Sequence, residues 1–389
     1  MSKNFAVGID IGTYQVKVIV TELVKKDEKY IPEIIGKGIH KSKGLRHGYV
    51  NNKREVTKSV IQALKQAEEQ AGVKIKKVFI SVGGISLEGI HLKNTTMITR
   101  ADSEVTQIDI DNILTENEKH PSLLNKKIIC SVPIEYKMDD KKILGNPIGM
   151  KGTKLKSETL YITCLKQHLY DLIQAIEETG VEIEDIYASP IAGSFVTLTK
   201  AQKIAGCVLA NLGAETVSII VFENDIPISL EVFPVGSTDI TNNIALELKT
   251  TLEEAEKIKH GIFTSVVYPQ KKLEEIVETQ LKNIFKLIEA HLKKINRNAL
   301  LPAGIVISGG GSGITTIKDL AEASLNLPSR IANLHFTNNT NNIVKDSTWA
   351  VAYGLCLMGL IASKEKPTPI KTARTLILQT KEWIAQFFV

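Results

Sequence analysis

Two blocks of this chain carry β-branched apolar runs bent about a glycine. FAVGID and VKVIVTELV flank IGTYQ, with Gly12 at the bend, which predicts strand, tight turn and strand. The pattern returns further along as GCVLANL, GAET and VSIIVFEN, continuing into IPISLEVFPVG. Between the blocks the spacing becomes helical: Val56, Val60, Ile61, Leu64, Ala67 and Ala71 predict a helix over Arg54 to Gly72, stopped by the glycine. KKVFISVGG reads as a strand, Thr95 to Thr163 as a mixed segment with a short helix near Ile108 to Leu114 and a strand at KKIICSVPI, and Gln167 to Thr179 as a helix closed by Gly180. Ser237 to His260 and Leu273 to Ile295 are long helical stretches rich in Glu and Lys. AGIVISGGGSGI is a buried strand running into three glycines, with a helix from Ile314 onward. Trp349 to Ile361 is an apolar helix, SKEKPTP a polar linker, and Ile370 to Val389 a last amphipathic helix.

The repeated hairpin implies an internally duplicated α/β chain of two lobes, and 389 residues exceed one ordinary domain. Composition, 43% apolar and 23% charged, is that of a globular protein. A formal charge of +5, scattered along the chain, gives no support to a nucleic-acid partner. No stretch reaches about eighteen apolar residues, so no membrane span is expected. The first residues enter an apolar run that breaks at Asp10, too short for a signal-peptide core, so a cytoplasmic location is expected. Four cysteines stand singly in apolar runs and eight histidines lack ligand spacing, which argues against a disulfide framework or a transition-metal site.

Candidate chemistry sits at the turns. D-x-G-T at Asp10 to Thr13 and N-x-G-x-x-T at Asn211 to Thr216 place glycine, small residues and hydroxyls where backbone N–H groups can hold phosphate oxygens. Gly12, Thr13 and Tyr14 form the first turn; Gly213, Ala214, Glu215 and Thr216 form the second. Asp10 would hold water on a Mg²⁺ ion bridging the phosphates, and Lys17 would lie against them as a point charge. Taken alone, either turn is compatible with a plain hairpin. Two such turns together with Gly309, Gly310 and Gly311, which permit close backbone approach, suit one ATP-sized ligand. Glu256 and Lys259 lie i, i+3 on one helical face, a spacing that serves a common ligand or a surface ion pair.

GIDIGT, the N-x-G-x-x-T turn and GIVISGGGSGI resemble the phosphate and adenosine motifs of the actin and sugar-kinase superfamily. Within it, NPIGMKGTKL, ASPIAGSFVTLTKAQK and DITNNIALELKTTLEEAEKIKHGIF are similar to the FtsA family of bacterial cell-division proteins, over nearly the whole chain. That resemblance implies an actin-like fold of duplicated ribonuclease H-like domains. Residues 1–86 and 165–200 would form the first lobe, 87–164 an inserted small α+β domain, 201–237 and 299–348 the second lobe, and 238–298 a helical subdomain closing over the nucleotide. Residues 349–362 would return to the first lobe, 363–369 link, and 370–389 form the amphipathic helix. It also implies ATP and Mg²⁺ as ligands, Glu256 and Lys259 on ribose and purine, filaments of the chain itself, division partners on the inserted domain and the FtsZ C-terminal tail on the helical subdomain. Hydrolytic relatives carry Asp where this chain has Asn211, and an acid or amide where it has Ser189 before Pro190. An amide orients water without charge, so ATP is expected to be hydrolysed slowly or not at all. A pilus-assembly protein of the PilM type and a sugar or acetate kinase are the rival readings.

On a helical wheel of Ile370 to Val389, the apolar Ile370, Ala373, Leu376, Ile377, Trp383, Ile384, Phe387 and Phe388 share an arc of roughly 140°. Lys371, Arg374 and Lys381 lie off that arc. Such a helix lies in a membrane interface with basic residues toward anionic headgroups. Gross burial of the six large side chains Leu376, Ile377, Trp383, Ile384, Phe387 and Phe388 is on the order of 10 kcal/mol before ordering costs. The alternative is docking of the helix onto the body. With the resemblance, the membrane reading places the chain on the cytoplasmic face of the cell membrane at the division site.

Overall fold

The computed structural model describes residues 5–26, 29–262, 268–334 and 346–364. In chain order the first lobe opens with β1 (Phe5–Ile11), β2 (Gln15–Lys26), β3 (Lys29–Lys41), a small hairpin of β4 (Leu45–Arg46) and β5 (Tyr49–Val50), α1 (Lys53–Ala71) and β6 (Lys77–Val82). The inserted part follows as β7 (Glu88–Met97), α2 (Gln107–Glu118), β8 (Lys126–Met138), β9 (Lys141–Ile143) and β10 (Lys154–Leu165), and the first lobe resumes with α3 (Lys166–Glu177), β11 (Glu182–Ala188), α4 (Ser189–Thr197) and α5 (Lys200–Ala205). The second lobe contains β12 (Cys207–Leu212), β13 (Val217–Glu223), β14 (Ile226–Phe233), α6 (Ser237–Glu247), α7 (Leu252–Lys259), α8 (Gln270–Lys294), β15 (Ile305–Ser308), α9 (Ile317–Leu325) and β16 (Ser329–Ile331). Helix α10 (Ala350–Lys364) closes the described chain.

The duplication read from the hairpins extends to whole sheets. The first is ordered β11-β6-β1-β2-β3 and the second, read from its far edge, β16-β15-β12-β13-β14. In each, a three-strand antiparallel meander is joined by two parallel strands. Both faces of the second sheet are covered. Val208, Ala210, Ile219 and Val221 face the core beneath α8 and α9, while Leu209, Ile220 and Phe222 join the core shared with α4 and α10. Apolar residues therefore run almost without a break along β12 and β13.

Strand β3 escapes the sequence pattern because Pro32, Gly36 and Gly38 interrupt it. Those glycines answer to packing: a Cβ on Gly36 would stand 2.6 Å from the Ala67 carbonyl of α1, and one on Gly38 would collide with the Ala63 carbonyl. β3 is also an edge. Its outward amides at Lys37 and Ile39 donate to Gln70 and Gln66 Oε1 at 2.9 and 3.0 Å, which blunts an otherwise open ladder.

Two further expectations need correction. The stretch Ser237 to His260 is two helices, not one, because Lys249 turns left-handed at φ 51° and Thr251 caps α7, its side chain accepting from the Glu254 amide. The mixed segment Thr95 to Thr163 is mainly an antiparallel sheet of order β7-β10-β8-β9, and its helix runs longer than expected. That sheet has its own small core around Val105, Ile113, Leu155 and Tyr161, while its other face, with Cys130, Val132 and Leu160, packs into the first-lobe core beside Leu230 of β14. The four cysteines are free and buried, as core residues should be. The helix expected over Ile370 to Val389 and its candidate membrane-binding residues lie outside the described residues.

Candidate functional site

The two hairpin turns face each other across a cleft of about 950 Å³. They are built alike. Gly12 N–H donates to the Gln15 carbonyl at 3.1 Å, and Gly213 N–H to the Thr216 carbonyl at 2.9 Å. Among the described residues the amides of Thr13, Tyr14 and Ala214, all on the cleft wall, have no protein acceptor, so each is available to an anion. The strands behind the turns differ in charge: Asp10 stands opposite Lys17, whereas Asn211 stands opposite Ser218.

Burial, opposed by Lys17 and by the Ser81 hydroxyl that donates to Oδ1 at 3.3 Å, pushes the Asp10 carboxyl above its ordinary value. Burial likewise pulls Lys17 down against the pull of Asp10 and Asp346, and its ammonium donates to the Thr348 carbonyl at 2.8 Å. Each charge offsets part of the other's burial cost, with Ser81 and Asp346 contributing the rest of the opposition. Glu256 and Lys259 line the same cleft but hold one another, Nζ to Oε2 at 2.8 Å, with Thr241 Oγ1 donating to that oxygen at 2.5 Å. Burial lowers the Lys259 pKa despite its partner. For Glu256 burial acts upward, yet the hydrogen bonds from Lys259 and Thr241 hold it low.

The glycine run divides its work. Gly309, at φ 86°, packs on the second turn, where a Cβ would collide with Asn211 Oδ1 and lie 2.5 Å from the Leu212 carbonyl. Gly310 opens on the cleft. Gly311, expected to touch ligand, is buried instead against Leu212 Cβ and is not on the cleft wall.

Residues 208–354 match the family model "Cell division protein FtsA", and residues 88–163 match the "SHS2 domain inserted in FTSA". The chain belongs to the FtsA family. Cell division protein FtsA of Pseudomonas aeruginosa is 26% identical over 380 residues, covering 92% of this chain and 90% of its own, and that of Neisseria meningitidis is 28% identical over 409 residues, covering 98% of both. Among solved structures, the fold matches a PilM-PilN type IV pilus biogenesis complex chain (TM-score 0.68, 15% identity, 91% of this chain and 98% of that one) and MreB5 of Spiroplasma citri bound to ADP (TM-score 0.53, 12% identity, 92% and 97%). The fold is thus actin-like, with the SHS2 sheet inserted between β6 and α3. The family makes this a cell-division protein, and no described helix is long and apolar enough to cross a membrane.

The cleft gathers Asp10, Gly12, Thr13, Tyr14, Lys17, Asn211, Gly213, Ala214, Thr216, Glu256, Lys259, Gly309 and Gly310. Glu215 departs from expectation. Read as part of the phosphate-holding turn, it instead uses its carboxylate within the protein: Oε2 accepts the His47 amide at 2.5 Å, off the cleft wall. Ser189 borders the cleft at the start of α4. His168 and Ser81 also line it and went unread, because a single histidine on α3 and a serine inside a strand carry no spacing signal. Burial lowers the His168 pKa, and because a carbonyl only accepts, Nε2 carries the proton that it donates to the Gly48 carbonyl at 2.9 Å.

Proposed function

We propose that the cleft binds ATP with Mg²⁺ and that the protein is a slowly hydrolysing, nucleotide-gated scaffold which polymerises on the cytoplasmic membrane surface and tethers FtsZ there during division. One observation carries the nucleotide reading: two turns of identical build present unpaired amides to one cavity, beside a glycine with no side chain to obstruct it. The ADP bound to the actin-like MreB5 agrees with it. The donor set fits Mg²⁺ only in part. Among the described residues no group of three acidic, His or Cys side chains could hold an ion alone, so Asp10 would act through water and phosphate oxygens would supply the remaining ligands. When bound, the ion would neutralise phosphate charge. Slow hydrolysis follows from the second turn, where Asn211 is uncharged and Glu215 is engaged by His47.

A groove of about 500 Å³, lined by Glu247, Lys272, Ile276 and Thr279, lies in the helical block assigned to the FtsZ tail and is the place to look for that contact. The membrane contact rests on the apolar arc of Ile370 to Val389. Fluorescent ATP titration with and without Mg²⁺ tests the cleft, and several turnovers per minute that vanish in Asp10→Ala would overturn slow hydrolysis. For the membrane, the protein should pellet with anionic liposomes and Trp383→Glu should not; equal pelleting would remove the helix from the account.

A further inference from the structure

The segment joining β3 to β5 touches both turns. Ser42 N–H donates to the Tyr14 carbonyl at 2.9 Å. His47 donates twice to Glu215, its amide to Oε2 at 2.5 Å and its Nδ1–H to the carbonyl oxygen at 3.0 Å. Tyr14 and Glu215 are the third residues of their four-residue turns, so one stretch of the first lobe holds the same position in both copies. Only the Glu215 contact crosses to the other lobe.

The stretch itself is anchored. The His47 carbonyl accepts from Ile85 N–H at 3.2 Å, the Gly48 carbonyl accepts from His168 Nε2–H, and Tyr49 stacks on the His168 ring at 4.5 Å. Ser86 Oγ in turn is hydrogen-bonded to His168 Nδ1 at 2.5 Å. His47 sits at φ 49°, a conformation non-glycine residues seldom adopt, and it brings amide and ring to the same partner.

We propose that Glu215 is a positioning residue that straps the second phosphate turn to the first lobe through His47, setting the separation of the two turns that a triphosphate must span. This rests on the ATP reading above. Without the strap the amide of Ala214 is free to move relative to those of Thr13 and Tyr14, and preorganisation for the ligand is lost.

The full-length protein is titrated with fluorescent ATP and Mg²⁺, release is timed by chasing with unlabelled ATP, and thermal midpoints are taken with and without ligand. Glu215→Ala is expected to weaken binding by about tenfold, mostly through faster release. It should leave the ligand-free midpoint near wild type while shrinking the ATP-induced rise. Glu215→Gln keeps an acceptor oxygen for the His47 amide and should stay within about threefold of wild type. A purely structural role would lower the ligand-free midpoint and leave the ATP-induced rise intact. If Glu215→Ala does not fold, His47→Gly replaces it, since glycine relieves the positive φ and keeps the amide while removing the ring donor; release should quicken by about threefold. Wild-type ATP binding with unchanged release in these variants, or Glu215→Gln as weak as Glu215→Ala, overturns the strap. Wild type that binds no ATP overturns the nucleotide reading, and the strap falls with it.

Discussion

Three consecutive glycines offer a sharp test, because the structure assigns each a different burden. At Gly309 a methyl group meets a φ of 86° and collides with Asn211 Oδ1 and the Leu212 carbonyl. Backbone strain there costs about 1–3 kcal/mol and the overpacking a similar amount, so Gly309→Ala should destabilise by roughly 2–6 kcal/mol. At Gly310 nothing lies within 4 Å of the added Cβ and φ is not positive, so Gly310→Ala should be neutral or stabilising by about 0.4–1 kcal/mol through the unfolded chain. Gly311 is intermediate: its Cβ would stand 2.9 Å from Leu212 Cβ, for a cost of about 1–2 kcal/mol. Urea unfolding followed by circular dichroism ranks the three, and nucleotide titration adds the second axis. Gly310→Ala, stable as it is, should still weaken nucleotide binding because its methyl enters the cleft. Equal stability of Gly309→Ala and Gly310→Ala would refute the packing argument, and undiminished binding by Gly310→Ala would refute the assignment of the cleft.

The other expectations concern charge, pH and the sheet edge. Asp10→Asn strips the buried Lys17 of the larger of its two opposing charges, leaving Asp346, whereas Asp10→Asn with Lys17→Ser reproduces the Asn211 and Ser218 pair of the second hairpin; the double variant should be more stable to urea than the single, by about 2 kcal/mol, and neither should bind nucleotide. Because burial lowers the His168 pKa, its contribution to stability is complete above the unfolded value near 6.5 and is lost as pH falls through the lower folded value. Protection factors at residues 45–50, corrected for intrinsic exchange, should therefore fall on acidification, and His168→Phe should abolish that pH dependence while keeping the stack on Tyr49. Replacing both Gln66 and Gln70 by Leu uncaps the β3 amides, and size-exclusion chromatography should then show self-association that either single change gives only weakly.

The sequence alone determined whatever is decided within about ten residues. Both hairpins, the glycine stops at Gly72 and Gly180 and the duplication of the lobes were readable because alternation and turn chemistry are local. The cleft followed from them, since two copies of one turn in one chain imply a shared ligand. Strand β3 was not readable, because Gly36 and Gly38 are shaped by a helix that only later lies across them. Nor was the break at Lys249, where a cap outweighs helical periodicity. The directions of side chains at the site belong entirely to tertiary structure. Glu215 read as one more residue of a phosphate turn, and its carboxylate accepts from His47, 168 positions away; Gly311 looked like a ligand contact and serves Leu212. Local pattern sets where the turns form, but which of their atoms reach the cleft wall, and any hydrogen bond between lobes, depend on packing that no short window contains.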